Sequence, residues 1–214
     1  MSRFLLLIGL FLSINSVFAG KLLNSYVNEI DGHFVLHLDM RVNAKRKDIR
    51  SILMDFSKMP AVNKTVLESR LLNTVGDKYK IYFVSRGCLW IFCQTIKQVA
   101  MVSELDNEYI MSVVIAKESD LKYGRALWRL IDEGSTTRII YDSDYVPDFW
   151  VPPLIGSAIV KDKMLSEGLK TINGLERVIN QEKSGETAKV ASDSKIRTSK
   201  RLLNRRQTTI SLLK

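Results

Sequence analysis

His33-Phe34-Val35-Leu36-His37-Leu38-Asp39-Met40-Arg41-Val42, then AKRKDIRSILMDFSKM over residues 44–59 and Pro60, is the stretch that decides the fold. Successive side chains in a strand point to opposite faces, so Phe34, Leu36, Leu38, Met40 and Val42 share one side. His33, Val35, His37, Asp39 and Arg41 share the other. The pattern predicts a half-buried strand with both histidines of the protein on its wet side. Asn43 then reads as the cap of a helix, because Ile49, Ile52, Leu53 and Phe56 recur at helical spacing and Pro60 ends the run.

Working outward from there, strand-like runs alternate with turn signals. They are Glu68–Asn73, Lys78–Arg86, Phe92–Glu104, Tyr109–Ala116, Arg125–Ile131 and Thr137–Tyr145. After Pro152-Pro153, Ile155, Ile159, Leu165, Leu169, Ile172, Leu175 and Ile179 lie near one face of a long amphipathic helix. The expected fold is therefore α+β, a curved seven-stranded antiparallel sheet wrapped around a long C-terminal helix.

The chain has 214 residues, 46% hydrophobic and 26% charged, with two cysteines. That composition excludes collagen-like, wholly disordered and disulfide-dense classes, and the length suffices for a sizeable core. Met1-Ser2-Arg3, the apolar run Phe4–Leu12 and the small-residue site Val17-Phe18-Ala19 before Gly20 read as a secretory signal peptide. The alternative is a retained membrane anchor, but Ser and Asn interrupt the run before the roughly 20 apolar residues that a spanning helix needs. The expected organisation is a signal peptide at 1–19 with cleavage near Ala19-Gly20, an N-terminal lead-in at 20–32, one domain at 33–180 and a basic tail at 181–214. The expected location is periplasmic or secreted.

Residues 181–214 hold nine Lys/Arg and three Asp/Glu, whereas residues 20–180 are nearly neutral. The basicity is thus a property of the tail. Residues 181–194 read as a flexible linker. Beyond them Ile196, Leu203 and Ile210 stand seven apart among Lys200, Arg201, Arg205 and Arg206. Two readings stay open: a solvated, disordered tail, or a basic amphipathic helix in peripheral contact with an anionic membrane. Nucleic acid is not an expected partner, because the domain has no basic stripe and export separates it from nucleic acid.

Successive hairpins of a meander turn at alternating ends. One rim then collects Cys88–Cys93 (CLWIFC), Asp120–Gly124 and Asp148–Ile155 (DFWVPPLI), and the other collects Gly76-Asp77, Asp106-Asn107 and Glu133-Gly134-Ser135. Hairpin tips are normally polar. The first rim, with Trp90, Phe92, Phe149 and Trp150, is thus an apolar mouth, a membrane-docking edge or a partner surface, unless these side chains fold under as core. Cys88 and Cys93 flank its hairpin, where paired strands bring Cβ atoms to disulfide range. A disulfide is the expected state in an exported protein; free thiols are the alternative, and a lone C-x4-C lacks further zinc ligands.

No nucleophile elbow, zinc motif, phosphate loop or dinucleotide fingerprint is present, so no catalytic residue, metal or cofactor is assigned. Asp142 and Asp144 share a strand face opposite Ile139, Tyr141 and Tyr145, and surface solvation explains them. Trp128 faces inward with Tyr141, Tyr79, Ile81 and Phe83, lining either a core or a ligand cavity. Gly156, Gly168 and Gly174 weaken the last helix by ~1 kcal/mol each relative to alanine, which fits either a loose helix or close packing on the sheet. Asn63-Lys64-Thr65 is a glycosylation sequon, read as a chance match.

The element order resembles the START-like, SRPBCC superfamily. Ser51-Ile52-Leu53-Met54-Asp55-Phe56 with Met59-Pro60 and Asn63 is similar to its helix-turn opening. CLWIFC, ESDLKYGRALWRL and PDFWVPPLIG resemble exported bacterial members of the polyketide cyclase/dehydrase and coenzyme-Q-binding START groups. The likeness covers about residues 33–179 and implies a helix-grip fold over an apolar cavity. Such folds host carriers, cyclases and hydrolases alike. The leading expectation is a non-catalytic exported binder or carrier of a hydrophobic small molecule or lipid. Its candidate ligand-binding residues are Tyr79, Ile81, Phe83, Trp90, Phe92, Trp128, Tyr141, Phe149, Trp150 and Ile159. The alternatives are a cyclase- or hydrolase-like enzyme in the same cavity and a protein-interaction module with a filled cavity.

Overall fold

The computed structural model describes residues 20–89, 92–149 and 156–211, with side chains left aside at 89, 92, 156, 157 and 186–211. Eight strands form a single antiparallel sheet. They are β1 (Lys21–Ile30), β2 (His33–Val42), β3 (Val66–Val75), β4 (Lys78–Leu89), β5 (Phe92–Glu104), β6 (Tyr109–Val114), β7 (Leu121–Glu133) and β8 (Thr136–Pro147). Between β2 and β3 lie α1 (Arg46–Met54), a 3₁₀ turn at Phe56–Lys58 and α2 (Met59–Val62), and the chain ends in α3 (Gly156–Ser211). The order across the sheet is β1-β2-β8-β7-β6-β5-β4-β3.

The segment expected as a lead-in is instead the edge strand β1, so the sheet has one strand more than the seven expected. The signal was local: Asp31 and Gly32 both take positive φ, 52° and 79°, which is the turn that joins two right-twisted strands most tightly. β1 shows little alternation because it is exposed along most of its length, and period-two reading misses such strands. The first helix also starts later than expected, at Arg46 with Lys45 as its cap rather than Asn43.

β2 behaves as read. Phe34, Leu36, Leu38, Met40 and Val42 are buried, and His33 and His37 lie on the outer face. There their Nδ1 atoms meet Asp144 at 2.8 Å and Asp142 at 2.6 Å on neighbouring β8. The polar rim is crossed by α1, whose Arg46 pairs with Asp132 at 3.6 Å while Arg50 pairs with Glu104. At the other rim, Asp148 N–H donates to the Asp120 carbonyl at 3.0 Å and Asp120 N–H to the Lys97 carbonyl at 2.9 Å. These two bonds tie the end of β8 to the start of β7, and the start of β7 to the middle of β5 past the short strand β6.

Helix α3 packs on one half of the sheet only. A Cβ on Gly168 would stand 2.4 Å from Leu38 Cδ1, and one on Gly174 would stand 1.9 Å from the Val62 carbonyl oxygen. Of the two readings of these glycines, close packing is the one realised. Ile172, Leu175 and Ile179 complete the core with β2 and α1. The helix then runs without a break through 181–194, where a flexible linker was expected, and its start is docked by Lys58–Glu182 and Lys183–Asp48 pairs, both 2.7 Å. That stretch contains no proline, and extending a nucleated helix fixes little per residue. Among the described residues no helix is long and apolar enough to cross a membrane; the expected signal peptide lies outside them.

Candidate ligand cavity

Because α3 packs against β1, β2 and α2, it spans the middle of β4–β8 without filling the space between. Side-chain size across the sheet then makes the space. One lateral row carries Tyr141, Trp128 and Ile110, which face one another on β8, β7 and β6; the next row carries Ser143, Ala126 and Ser112. A row of small residues beside a row of bulky ones leaves a hollow that neither sheet nor helix fills. The result is a cavity of about 450 Å³, within the size range of small-molecule sites.

The lid side of the cavity is a helical stripe, Val160, Lys163, Met164, Glu167, Gly168 and Thr171. Leu53, Phe56, Met59 and Val62 close one end, and the cavity reaches the aromatic rim through Arg86, Gly87, Pro147 and Phe149. The Trp128 and Tyr141 rings are in contact, with centroids 4.4 Å apart and planes tilted by 45°. Gly124 makes room for Tyr145: a Cβ there would lie 2.9 Å from the Tyr145 ring.

Of the expected ligand-binding residues, Ile81, Phe83, Trp128, Tyr141 and Phe149 line this cavity. Tyr79 does not. It packs behind Phe56, with ring centroids 5.9 Å apart, and Phe56 takes the lining position. Ile159 is half-buried beside the lining stripe rather than on it, because the stripe runs through Val160, Lys163 and Glu167. Trp90 and Trp150 lie outside the described residues, as does the Phe92 side chain. The β4–β5 hairpin is closed by a Cys88–Cys93 disulfide with Cα atoms 4.0 Å apart, which is the expected pairing.

Sequence reasoning foresaw no buried polar cluster, and the structure has two. The first joins the start of β3 to the lid. Asn63 Nδ2 donates to Thr171 Oγ1 at 2.9 Å and to Glu167 Oε2 at 3.2 Å, and Thr65 Oγ1 donates to Asn63 Oδ1 at 2.9 Å. Lys163 and Lys170 hold Glu167 Oε1 at 2.8 and 2.9 Å. Burial alone would raise the Glu167 pKa, but the hydrogen bonds from Lys163, Lys170 and Asn63 outweigh it and bring it down to about 2. Asn63, being 6% exposed and bonded on both its amide atoms, is no glycan acceptor in this fold.

The second cluster is Tyr141, Ser143 and Tyr145, whose hydroxyls share the cavity side of β8 while Asp142 and Asp144 point outward. The two phenol oxygens are 3.4 Å apart. Burial pushes both phenol pKa values up, Tyr145 more strongly, so both stay protonated. Ser143 and, across the cavity, Ser69 have buried Oγ atoms with no hydrogen-bond partner. The signal for this cluster was in the alternation of β8, but serine at an inward position reads as a weak core residue. Among the described residues no three His, Cys, Asp or Glu side chains come together to hold a metal ion.

A curved antiparallel sheet gripping a long helix over an apolar cavity is the START-like, SRPBCC helix-grip fold, and this chain has it. A START superfamily protein from Mycobacterium smegmatis superposes with a TM-score of 0.57 at 19% identity, covering 70% of this chain and 99% of that one. The Zhui aromatase/cyclase from Streptomyces sp. R1128 gives 0.51 at 10% identity, over 70% and 93% of the two chains. A STAR-related lipid transfer protein from Xanthomonas axonopodis gives 0.52 at 12%, over 76% and 99%. At these identities the likeness is one of fold. No family profile and no curated protein sequence matches the chain.

Proposed function

We propose that the chain is an exported, non-catalytic binder or carrier of a hydrophobic small molecule or lipid, loaded through the apolar rim. One observation carries the reading: a largely apolar cavity of about 450 Å³ lies between sheet and helix and reaches that rim. An open volume of this size speaks against an interaction module with a filled interior. The lipid transfer protein among the fold neighbours supports binding, whereas the aromatase/cyclase supports an enzyme. Acid–base catalysis works best with a group whose pKa lies near the working pH. Glu167 at about 2 and two phenols pushed upward stand far from it, which favours binding over catalysis.

In this reading the basic stretch after residue 185 adds contact with an anionic membrane. α3 runs away from the apolar rim, so that contact is made from the opposite end of the domain. The test is native mass spectrometry of protein purified from its own host envelope, followed by organic extraction. A lipid or other apolar compound at near one-to-one is the expected result. Protein that arrives empty and also refuses a panel of lipids overturns the proposal. Within the same assay Trp90→Ser should reduce loading; unchanged loading removes the portal role from that tip.

A further inference from the structure

The floor of the cavity holds hydrogen-bonding capacity that the protein leaves unused. Two phenols carry two hydroxyl protons, and the contact between Tyr141 and Tyr145 at 3.4 Å occupies one of them. Ser143, between them on the same side of β8, is 4% exposed, and its Oγ, near enough to the Tyr141 hydroxyl to act on it, makes no hydrogen bond of normal length and angle. A buried hydroxyl without a partner is costly, so native folds rarely keep one without a reason. Rotation about χ1 moves this Oγ among three staggered positions, and its Cβ already points to the cavity.

The surroundings restrict what can meet these groups. Ser143 lies level with Ala126 and Ser112, and the next row holds Trp128 packed on Tyr141. One side of this row is therefore bounded by aromatic rings, a surface that favours contact with an apolar ring. The cavity's cations are not at the floor. Lys163 is bound to Glu167 at 2.8 Å, and Arg86 is exposed at the rim. An ionised group pushed down to Tyr141 and Tyr145 would lose its water and find no counter-charge among the described residues.

We propose that Tyr141, Ser143 and Tyr145 form a subsite that hydrogen-bonds a neutral oxygen, a carbonyl or a hydroxyl, carried by a ring-bearing apolar ligand. The proposal rests on the binding function above and narrows it, from any apolar molecule to one that lodges an uncharged oxygen away from the mouth.

Three probes of matched shape separate the possibilities in equilibrium dialysis against the full chain: 2-acetylnaphthalene, 2-ethylnaphthalene and 2-naphthoate. The ketone should bind about tenfold more tightly than the hydrocarbon, as one or two extra hydrogen bonds would give, and more tightly than the carboxylate. Tyr145→Phe and Ser143→Ala should each weaken the ketone by about three- to tenfold and leave the hydrocarbon within about twofold, with circular dichroism confirming the fold. Equal binding of ketone and hydrocarbon refutes the subsite while leaving the cavity a binding site. Tighter binding of naphthoate refutes the neutral oxygen. Variants that weaken both neutral probes alike assign these residues to cavity shape alone and refute the subsite too. If none of the three binds, the ring-bearing ligand and the subsite are refuted, and the lipid panel decides separately whether the cavity binds at all.

Discussion

Replacing Gly174 with alanine should destabilise this protein although alanine is the better helix former. In an exposed helix interior the change would gain about 1 kcal/mol. At Gly174 the new Cβ would lie 1.9 Å from the carbonyl oxygen of Val62, a backbone atom that cannot swing aside. Restoring ordinary contact requires α3 and α2 to part by about 1.5 Å, which loosens the packing of Ile172 and Leu175, both fully buried. Overpacking costs about 1–3 kcal/mol, and an overlap this deep with a backbone atom belongs at the upper end, so about 2–3 kcal/mol less the helix gain of about 1 leaves a net loss of about 1–2 kcal/mol. Gly185, in the same helix, is the internal control, because a Cβ there meets nothing within 4 Å. Gly185→Ala should stabilise by up to about 1 kcal/mol. In thermal unfolding, where ~1 kcal/mol moves the midpoint of a chain this size by about 2–4 °C, the two variants should shift in opposite directions. If Gly174→Ala were neutral or stabilising, the tight seat of α3 on α2 would be wrong, and the helix glycines would have to be explained by looseness.

Other perturbations read different parts of the molecule. Ala126→Leu adds three carbons to the row of small residues and should sharply reduce uptake of any apolar probe while the protein stays folded; undiminished uptake would place the ligand elsewhere. Removing the disulfide with Cys88→Ser and Cys93→Ser opens a loop closed over a sequence separation of 5 and should cost roughly 2 kcal/mol, read as a lower midpoint in urea. Glu167 is held down from an ordinary 4.5 to about 2, so its contribution to stability is intact above pH 4.5 and drains away as the pH falls towards 2. Glu167→Gln should flatten that part of the acid limb, and an unchanged acid limb would show that Asn63 and the lysines do not hold the lid through this carboxylate.

Much of the fold could be read from local pattern. β2 and β8 announce which face is buried, because alternation puts Leu38 and Tyr141 on one side and His37 and Asp142 on the other. The alternating rims followed from counting hairpins. β1 escaped because an exposed edge strand has no face to mark, and only the Asp31-Gly32 turn betrayed it. Part of the cavity wall was equally legible: Ile81, Phe83, Trp128, Tyr141 and Phe149 are large side chains at inward positions. Tyr79 and Ile159 were misplaced because a strand or helix pattern gives a face, whereas membership of a cavity wall depends on which neighbour stands in front.

The amino-acid sequence by itself determined the element order from β2 onward, the inward and outward faces, the placing of Cys88 and Cys93 across one hairpin and the concentration of charge after residue 180, since each depends on residues close together in the chain. Only the tertiary structure decided that an interior space exists. It arises because Ser143, Ala126 and Ser112 come level across three strands, and because Gly168 and Gly174 seat α3 on β2 and α2, from where it spans the hollow without filling it. Lys163, Glu167 and Thr171 look like a solvated helix face in sequence; in the fold they become part of the cavity's lid because Asn63 and Thr65, a hundred residues away, arrive to hydrogen-bond two of them.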